Sequence, residues 1–231
     1  MLAAGRGERM RPLTDDRPKP LLEVGGMALI DWHLHALARA GVREVIVNLA
    51  WQGARLREHV GDGARHGLSV VWSDEGAEAL ETGGGIHKAL HFLGPGPFLV
   101  VNGDVWTDYP LDRLALPEGS HAHLVMVDNP PHHPRGDFAL EGGRLTRGEA
   151  RLTYAGIGAY HPALFVSCTA GKFPLAPLID AAIAAGRATG EHHRGAWFDV
   201  GTPARLAELD ARLRRGELPA PAWPAGGTMG P

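Results

Sequence analysis

The sequence predicts an α/β fold of the Rossmann-like kind, with a doubly wound, mainly parallel sheet. Two observations carry this: short β-rich runs alternate with helical apolar patterns over the first hundred residues, and glycine clusters stand where strands hand over to helices. Ile30, Leu34, Leu37 and Ala38 share one helical face that closes at Gly41, and 45–47 reads as a buried strand. Leu56 and Val60 fit a short second helix, 68–72 a strand, 86–93 a third helix and 98–101 another strand. Strand, helix, strand at this spacing calls for right-handed crossovers, hence parallel pairing.

The second half changes character. Residues 121–127 alternate as a strand, 137–160 hold Gly142-Gly143 between β-prone runs and so predict hairpins, and 175–185 return to helix. A last helix over 203–214 turns Leu206, Leu209 and Leu213 toward the body. Residues 1–215 are expected to form one domain, and the Pro/Gly/Ala-rich stretch 216–231 a disordered tail. The glycine loop that begins at Ala4 should follow a strand that delivers it to the carboxyl edge of the sheet, yet only three residues precede it. The first strand therefore reads as clipped: either the true start lies upstream or the fold tolerates a short central strand.

Composition removes several function classes. The 231 residues carry 23 Lys+Arg against 26 Asp+Glu, a net charge of −3 with no dense basic block, so the footprint of a nucleic-acid binder is missing. No apolar run approaches the ~20 residues of a membrane span, and no basic stretch leads into an apolar signal core. A single cysteine, Cys168, rules out an internal disulfide and a thiolate metal cage. The cytoplasm is the expected compartment, with neither nucleic acid nor membrane as partner. An exposed helix face and a dimer face look alike in sequence, so no oligomeric state is predicted. Among the 23 basic residues only Lys19, Lys88 and Lys172 are lysines, which draws attention to Lys19 in the motif that follows.

The most informative stretch runs Leu2-Ala3-Ala4-Gly5-Arg6-Gly7-Glu8-Arg9-Met10-Arg11-Pro12-Leu13-Thr14, then Pro18-Lys19-Pro20-Leu21. Gly5 and Gly7 permit a tight turn and let backbone N–H groups approach an anion, although such a pair alone serves a structural turn as readily. Arg6, Arg9 and Arg11 with Lys19, all within fifteen residues, favour a polyanion there. Asn102-Gly103-Asp104 ends a buried strand in a polar triplet, and a carboxylate at that edge of an α/β sheet faces ligand or metal, or else caps the following turn.

The opening run resembles the signature of the sugar-1-phosphate nucleotidyltransferases: a strand, G-x-G-x-R-x-x-P-L-T, then P-K-P-L. The resemblance implies that fold type, with an inserted β-hairpin region that binds the sugar. It implies a triphosphate held by Ala4, Gly5, Gly7, Glu8 and the catalytic pair Arg9 and Lys19; a fixed guanidinium fork and a compact ammonium suit phosphate oxygens as charge spreads in transfer. Glu81-Thr82-Gly83-Gly84-Gly85, by itself a loop before a helix N-terminus, matches the family's L-x-T-G-G. Thr82 and Gly83 are then expected against the base, with the upstream Glu78 reading its edge; a carboxylate there accepts the uracil N3–H. Asp104, with Asp199 of Trp197-Phe198-Asp199-Val200-Gly201-Thr202, is expected to hold Mg²⁺, which keeps waters and takes its other oxygens from phosphate.

For the sugar the resemblance points to Asn102, Gly136, Asp137 and, more weakly, Glu149. Many relatives place E-K-P before the second hairpin, the lysine gripping the sugar phosphate; here Gly148-Glu149-Ala150-Arg151 contains no lysine. Further segments, among them V-N-G-D-V-W-T-D-Y and G-E-H-x-R-G-x-W-x-D-V-G-T, resemble the branch of the family that makes UDP-MurNAc from UTP and N-acetylmuramic acid 1-phosphate in cell-wall recycling. That acceptor carries a lactyl carboxylate, for which Arg194, with His192 or His193, is the expected donor. The same chemistry on another sugar 1-phosphate with UTP or GTP, and a nucleotide-sugar-binding subunit without turnover, are the alternatives.

Overall fold

The structure is a computed structural model and describes residues 1–76 and 78–219; the expected tail lies outside the described residues from position 220. After the glycine loop a small hairpin, β1 (Glu23–Val24) and β2 (Met27–Ala28), leads into α1 (Leu29–Arg39). Ile30, Leu34 and Leu37 bury the predicted face of α1, and the chain leaves through Gly41 at φ 84°. Next come β3 (Glu44–Leu49), α2 (Gly53–Val60), β4 (Ser69–Asp74), α3 (Glu81–Leu93) and β5 (Phe98–Val101). β3 and β4 pair in parallel. Leu2 bridges in parallel to Asn48 on one side and Asn102 on the other, where a first strand would run. One paired residue thus joins β3 to β5 and releases the glycine loop at the carboxyl edge.

The second half supplies β6 (Val105–Thr107), β7 (Ala122–Val127), the hairpin β8 (Phe138–Glu141) and β9 (Arg144–Thr146), β10 (Arg151–Tyr160), α4 (Ala176–Ala184), β11 (Ala188–His192), β12 (Trp197–Asp199) and α5 (Pro203–Arg214). The sheet is mixed. Parallel pairing holds from β4 to β5 and between β7 and β11, whereas β10 runs antiparallel to β5 and β7. An antiparallel return needs no crossover helix, and the segment between β7 and β10 is spent on the β8–β9 hairpin instead. β8 pairs with β10 and β9 with β11, so this half closes on itself. The helices over 53–60, 176–184 and 203–214 match the predicted ones closely, and Leu209 of α5 is fully buried.

One expected loop is helix. α3 begins at Glu81, so Gly83, Gly84 and Gly85 lie inside its first two turns. Tertiary packing overrides the low helix propensity of glycine. A Cβ on Gly83 would lie 2.6 Å from Phe173, one on Gly84 would collide with the Gly171 carbonyl oxygen, and one on Gly85 would lie 2.5 Å from Asn48 Nδ2 and Glu75 Oε1.

Away from the glycine loop, Asp31 on α1 ties three elements together. Its carboxylate meets His59 Nε2 at 2.8 Å, Arg65 Nη2 at 3.0 Å and His66 Nε2 at 3.3 Å. Burial alone would raise the Asp31 carboxyl, but hydrogen bonds from His59 and His66 and the charges of His59 and Arg65 outweigh it and hold the group well below the usual carboxylate range.

Candidate functional site

The glycine loop, the 3-10 turn Lys19–Leu21, the start of α3 and the end of β5 surround a cleft of about 430 Å³. Gly7 has φ 67°, and a Cβ there would press within 3.2 Å of Lys19 Cβ and Thr14 Cγ2, while Thr14 Oγ1 donates to the Gly7 carbonyl at 2.9 Å. A Cβ on Gly5, by contrast, would meet no atom within 4 Å. Gly7 is therefore required by the fold, whereas packing within the protein does not require Gly5. Ala4, Gly5, Gly7, Glu8, Arg9, Lys19, Thr82, Asn102 and Asp104 all line this cleft. Arg9 is exposed at its mouth, whereas Lys19 is buried and its Nζ lies 2.8 Å from Asp104 Oδ2.

Asp199 arrives beside Asp104 by strand register. β12 pairs antiparallel with β6, placing Asp199 opposite Val105, and the Val200 N–H donates to the Asp104 carbonyl at 2.9 Å. The Asp199 Oδ2 is met by Arg205 Nη1 at 3.1 Å and by His132 Nε2 at 3.1 Å. Asp104 precedes β6 and Asp199 ends β12, so their backbones adjoin, but Asp104 lines the cleft and Asp199 does not; each carboxylate is paired with a protein cation that a divalent ion would have to displace. Asn102 Oδ1 is buried nearby with no hydrogen-bond donor, a further acceptor that the protein leaves unused. Among the described residues no group of three or more His, Cys, Asp or Glu side chains is placed to hold a metal ion.

Other expected residues stand elsewhere. Gly83 is buried behind the cleft in α3, and Glu78 is exposed and does not line it. Glu75, which does line it, is buried and accepts from Asn48 Nδ2 at 2.7 Å and from the Leu80 N–H at 2.6 Å. Both Asn48 and Glu75 sit at the carboxyl ends of strands, the same signal that marks Asp104 and could have found them. Gly136 (φ 60°) packs where a Cβ would lie 2.7 Å from Asn129 Oδ1, and Asp137 accepts from the Tyr154 N–H at 2.8 Å and pairs with His133 at 3.1 Å. Those two residues hold β10 at its bulge, where Gly156 (φ 76°) makes room for Asn102. Glu149 is exposed in the loop before β10. His192 and His193 are taken by Asp128 and Asp108, at 2.9 and 2.7 Å, and Arg194 between them and Gly195 is exposed with no ion pair to the described residues.

A glycine loop, a buried lysine and the Asp104 carboxylate thus share one cleft at the carboxyl edge of an α/β sheet, where such folds bind ligands. The chain belongs to the nucleotidyl transferase family, whose model matches residues 1–138, and is an enzyme of the sugar-1-phosphate nucleotidyltransferase type. It is 48% identical over 221 residues to the N-acetylmuramate alpha-1-phosphate uridylyltransferase of Neisseria meningitidis, covering 91% of this chain and 96% of that one. To the enzyme of the same name from Caulobacter vibrioides it is 39% identical over 230 residues, covering 92% and 95%. In fold it is similar to a Bacillus anthracis protein assigned as a glucose-1-phosphate thymidylyltransferase, with a TM-score of 0.81 at 17% identity over 92% of this chain and 93% of that one.

Proposed function

We propose that this enzyme transfers the uridylyl group of UTP to N-acetylmuramic acid 1-phosphate, giving UDP-MurNAc and pyrophosphate, as a cytoplasmic step of peptidoglycan recycling. The observation that carries the chemistry is the convergence of the Gly5–Gly7 loop, Lys19 and Asp104 in one cleft with Asp199 in register beside it. The acceptor is supported by likeness to the two N-acetylmuramate 1-phosphate enzymes along nearly the whole chain, and by an exposed Arg194 with no ion pair to the described residues.

In this reading an acceptor phosphate oxygen attacks the α-phosphorus in line, the bond from that phosphorus to the bridging oxygen breaks, and pyrophosphate departs. Arg9 and the loop N–H groups hold the leaving pyrophosphate. Lys19 exchanges Asp104 for the reacting phosphate and balances its charge in a pocket shielded from water. Asp104 and Asp199 would hold Mg²⁺, which when bound supplies positive charge to the phosphates without any protein proton. The unused Asn102 Oδ1 accepts a sugar hydroxyl, and Arg194 meets the lactyl carboxylate.

The deciding experiment is incubation with UTP, Mg²⁺ and MurNAc 1-phosphate followed by mass analysis. UDP-MurNAc is the expected product. A product only with GTP or another sugar 1-phosphate would replace this reading, and binding without any product would turn it into a nucleotide-sugar-binding subunit.

A further inference from the structure

The strap that joins β11 to β12 is pinned at almost every residue, and one side chain is spared. The Tyr109 hydroxyl donates to the Glu191 carboxylate, which also faces His123 Nε2 at 3.7 Å. His192 pairs with Asp128, and His193 Nε2 pairs with Asp108 Oδ1 at 2.7 Å, its ring edge-on to Tyr109 at 5.3 Å. The backbone is tied too: the His193 N–H donates to the Met126 carbonyl, and the Ala196 carbonyl accepts from the Asp108 N–H and the Thr107 hydroxyl. Gly195 lies so near the His193–Asp108 pair that a Cβ there would stand 2.5 Å from both. Arg194 alone projects from this strap as an exposed side chain with no partner among the described residues.

The carboxylates that meet this strap are Asp108, Asp128 and Glu191, the acids an arginine here could otherwise pair with. Here each of those carboxylates already has a histidine or tyrosine partner, so the guanidinium is left for a carboxylate from outside. Fixing the strap beforehand also removes part of the ordering cost that a ligand would otherwise meet. We infer that Asp108, acting through His193, is a positioning residue that sets Arg194 for the carboxylate of the acceptor. This rests on the acceptor reading above.

The test is the ratio of KM values for MurNAc 1-phosphate and GlcNAc 1-phosphate, which lacks the carboxylate, together with the KM for UTP. Asp108→Ala should raise the KM for MurNAc 1-phosphate about tenfold and bring the ratio of the two acceptors toward one, because the strap loosens and Arg194 loses its setting. Asp108→Asn keeps an oxygen that can accept from His193 and should restore most of the ratio. Arg194→Ala separates the two claims. If it leaves the ratio unchanged, Arg194 does not meet the carboxylate and the positioning role of Asp108 falls, whereas the acceptor reading falls only if the parent makes no UDP-MurNAc. If Arg194→Ala abolishes the ratio while Asp108→Ala does not, or if Asp108→Ala raises the KM for both acceptors and UTP alike, the latch alone is overturned.

Discussion

Lys19 and Asp104, 85 positions apart, form an ion pair of 2.8 Å in which the lysine is buried and the aspartate half exposed. The asymmetry has a direction. Asp104 can turn to another partner at the cleft surface, while Lys19, fixed between Pro18 and Pro20, stays aimed at whatever replaces the carboxylate.

Asp104→Asn should therefore leave thermal unfolding within a few degrees of the parent and cut turnover about 10²–10³-fold. Lys19→Gln should lower turnover on a similar scale. Pyrophosphate release under Mg²⁺ is the measurement, and near-normal turnover in Asp104→Asn would remove that residue from the reaction.

The two loop glycines should separate folding from binding. Gly7→Ala places a Cβ at φ 67° against Lys19 and Thr14 and should cost about 1 kcal/mol of stability. Gly5→Ala should melt like the parent and raise the KM for UTP severalfold, since its Cβ would meet only a ligand. A parallel loss of stability in both variants would contradict this division.

Gly84→Ala should destabilise the enzyme by about 1–3 kcal/mol, because backbone rather than a side-chain tip opposes the new methyl group. Urea unfolding measures the loss, and a shift of Thr82 with α3 should weaken UTP binding in the same variant.

The depressed Asp31 carboxyl makes a pH signature. The unfolded carboxyl takes up a proton near pH ~4 while the folded one stays ionised, so the contribution of Asp31 is present above that pH and fades as acid drives toward the lower folded value. Melting temperature should fall more steeply below pH ~4 in the parent than in Asp31→Asn, which at neutral pH should be less stable by about 1–2 kcal/mol, the partly exposed partners tempering the loss. Equal acid slopes would show that Asp31 does not govern this limb.

Much of the cleft was legible because its parts are short contiguous signals at strand ends: the 4–9 loop, Lys19 between prolines, and Asp104 after an apolar run. The helices of period 3.6 were legible for the same local reason, as the buried faces of α1 and α5 bear out. Partnership was not. Nothing near β10 in sequence announces that it enters antiparallel between β5 and β7, and the glycine triplet reads as a breaker until Gly171 and Phe173 close on it. Glu75 stands in an acidic pair after a strand, which by itself looks like a solvated end, and the partner that buries it, Asn48, lies 27 positions away. Likewise Arg205 and His132 meet Asp199 only through the fold.

The glycine face of α3 has a consequence for attempts to change which base the enzyme accepts. At Gly84 the helix meets the Gly171 carbonyl backbone to backbone, with no methyl or methylene between them to absorb an adjustment, so its first turns have little room to shift. Redesign of base preference should therefore succeed at side chains near the mouth, such as Ala79, Glu81 and Thr82, and fail wherever it asks the helix itself to move.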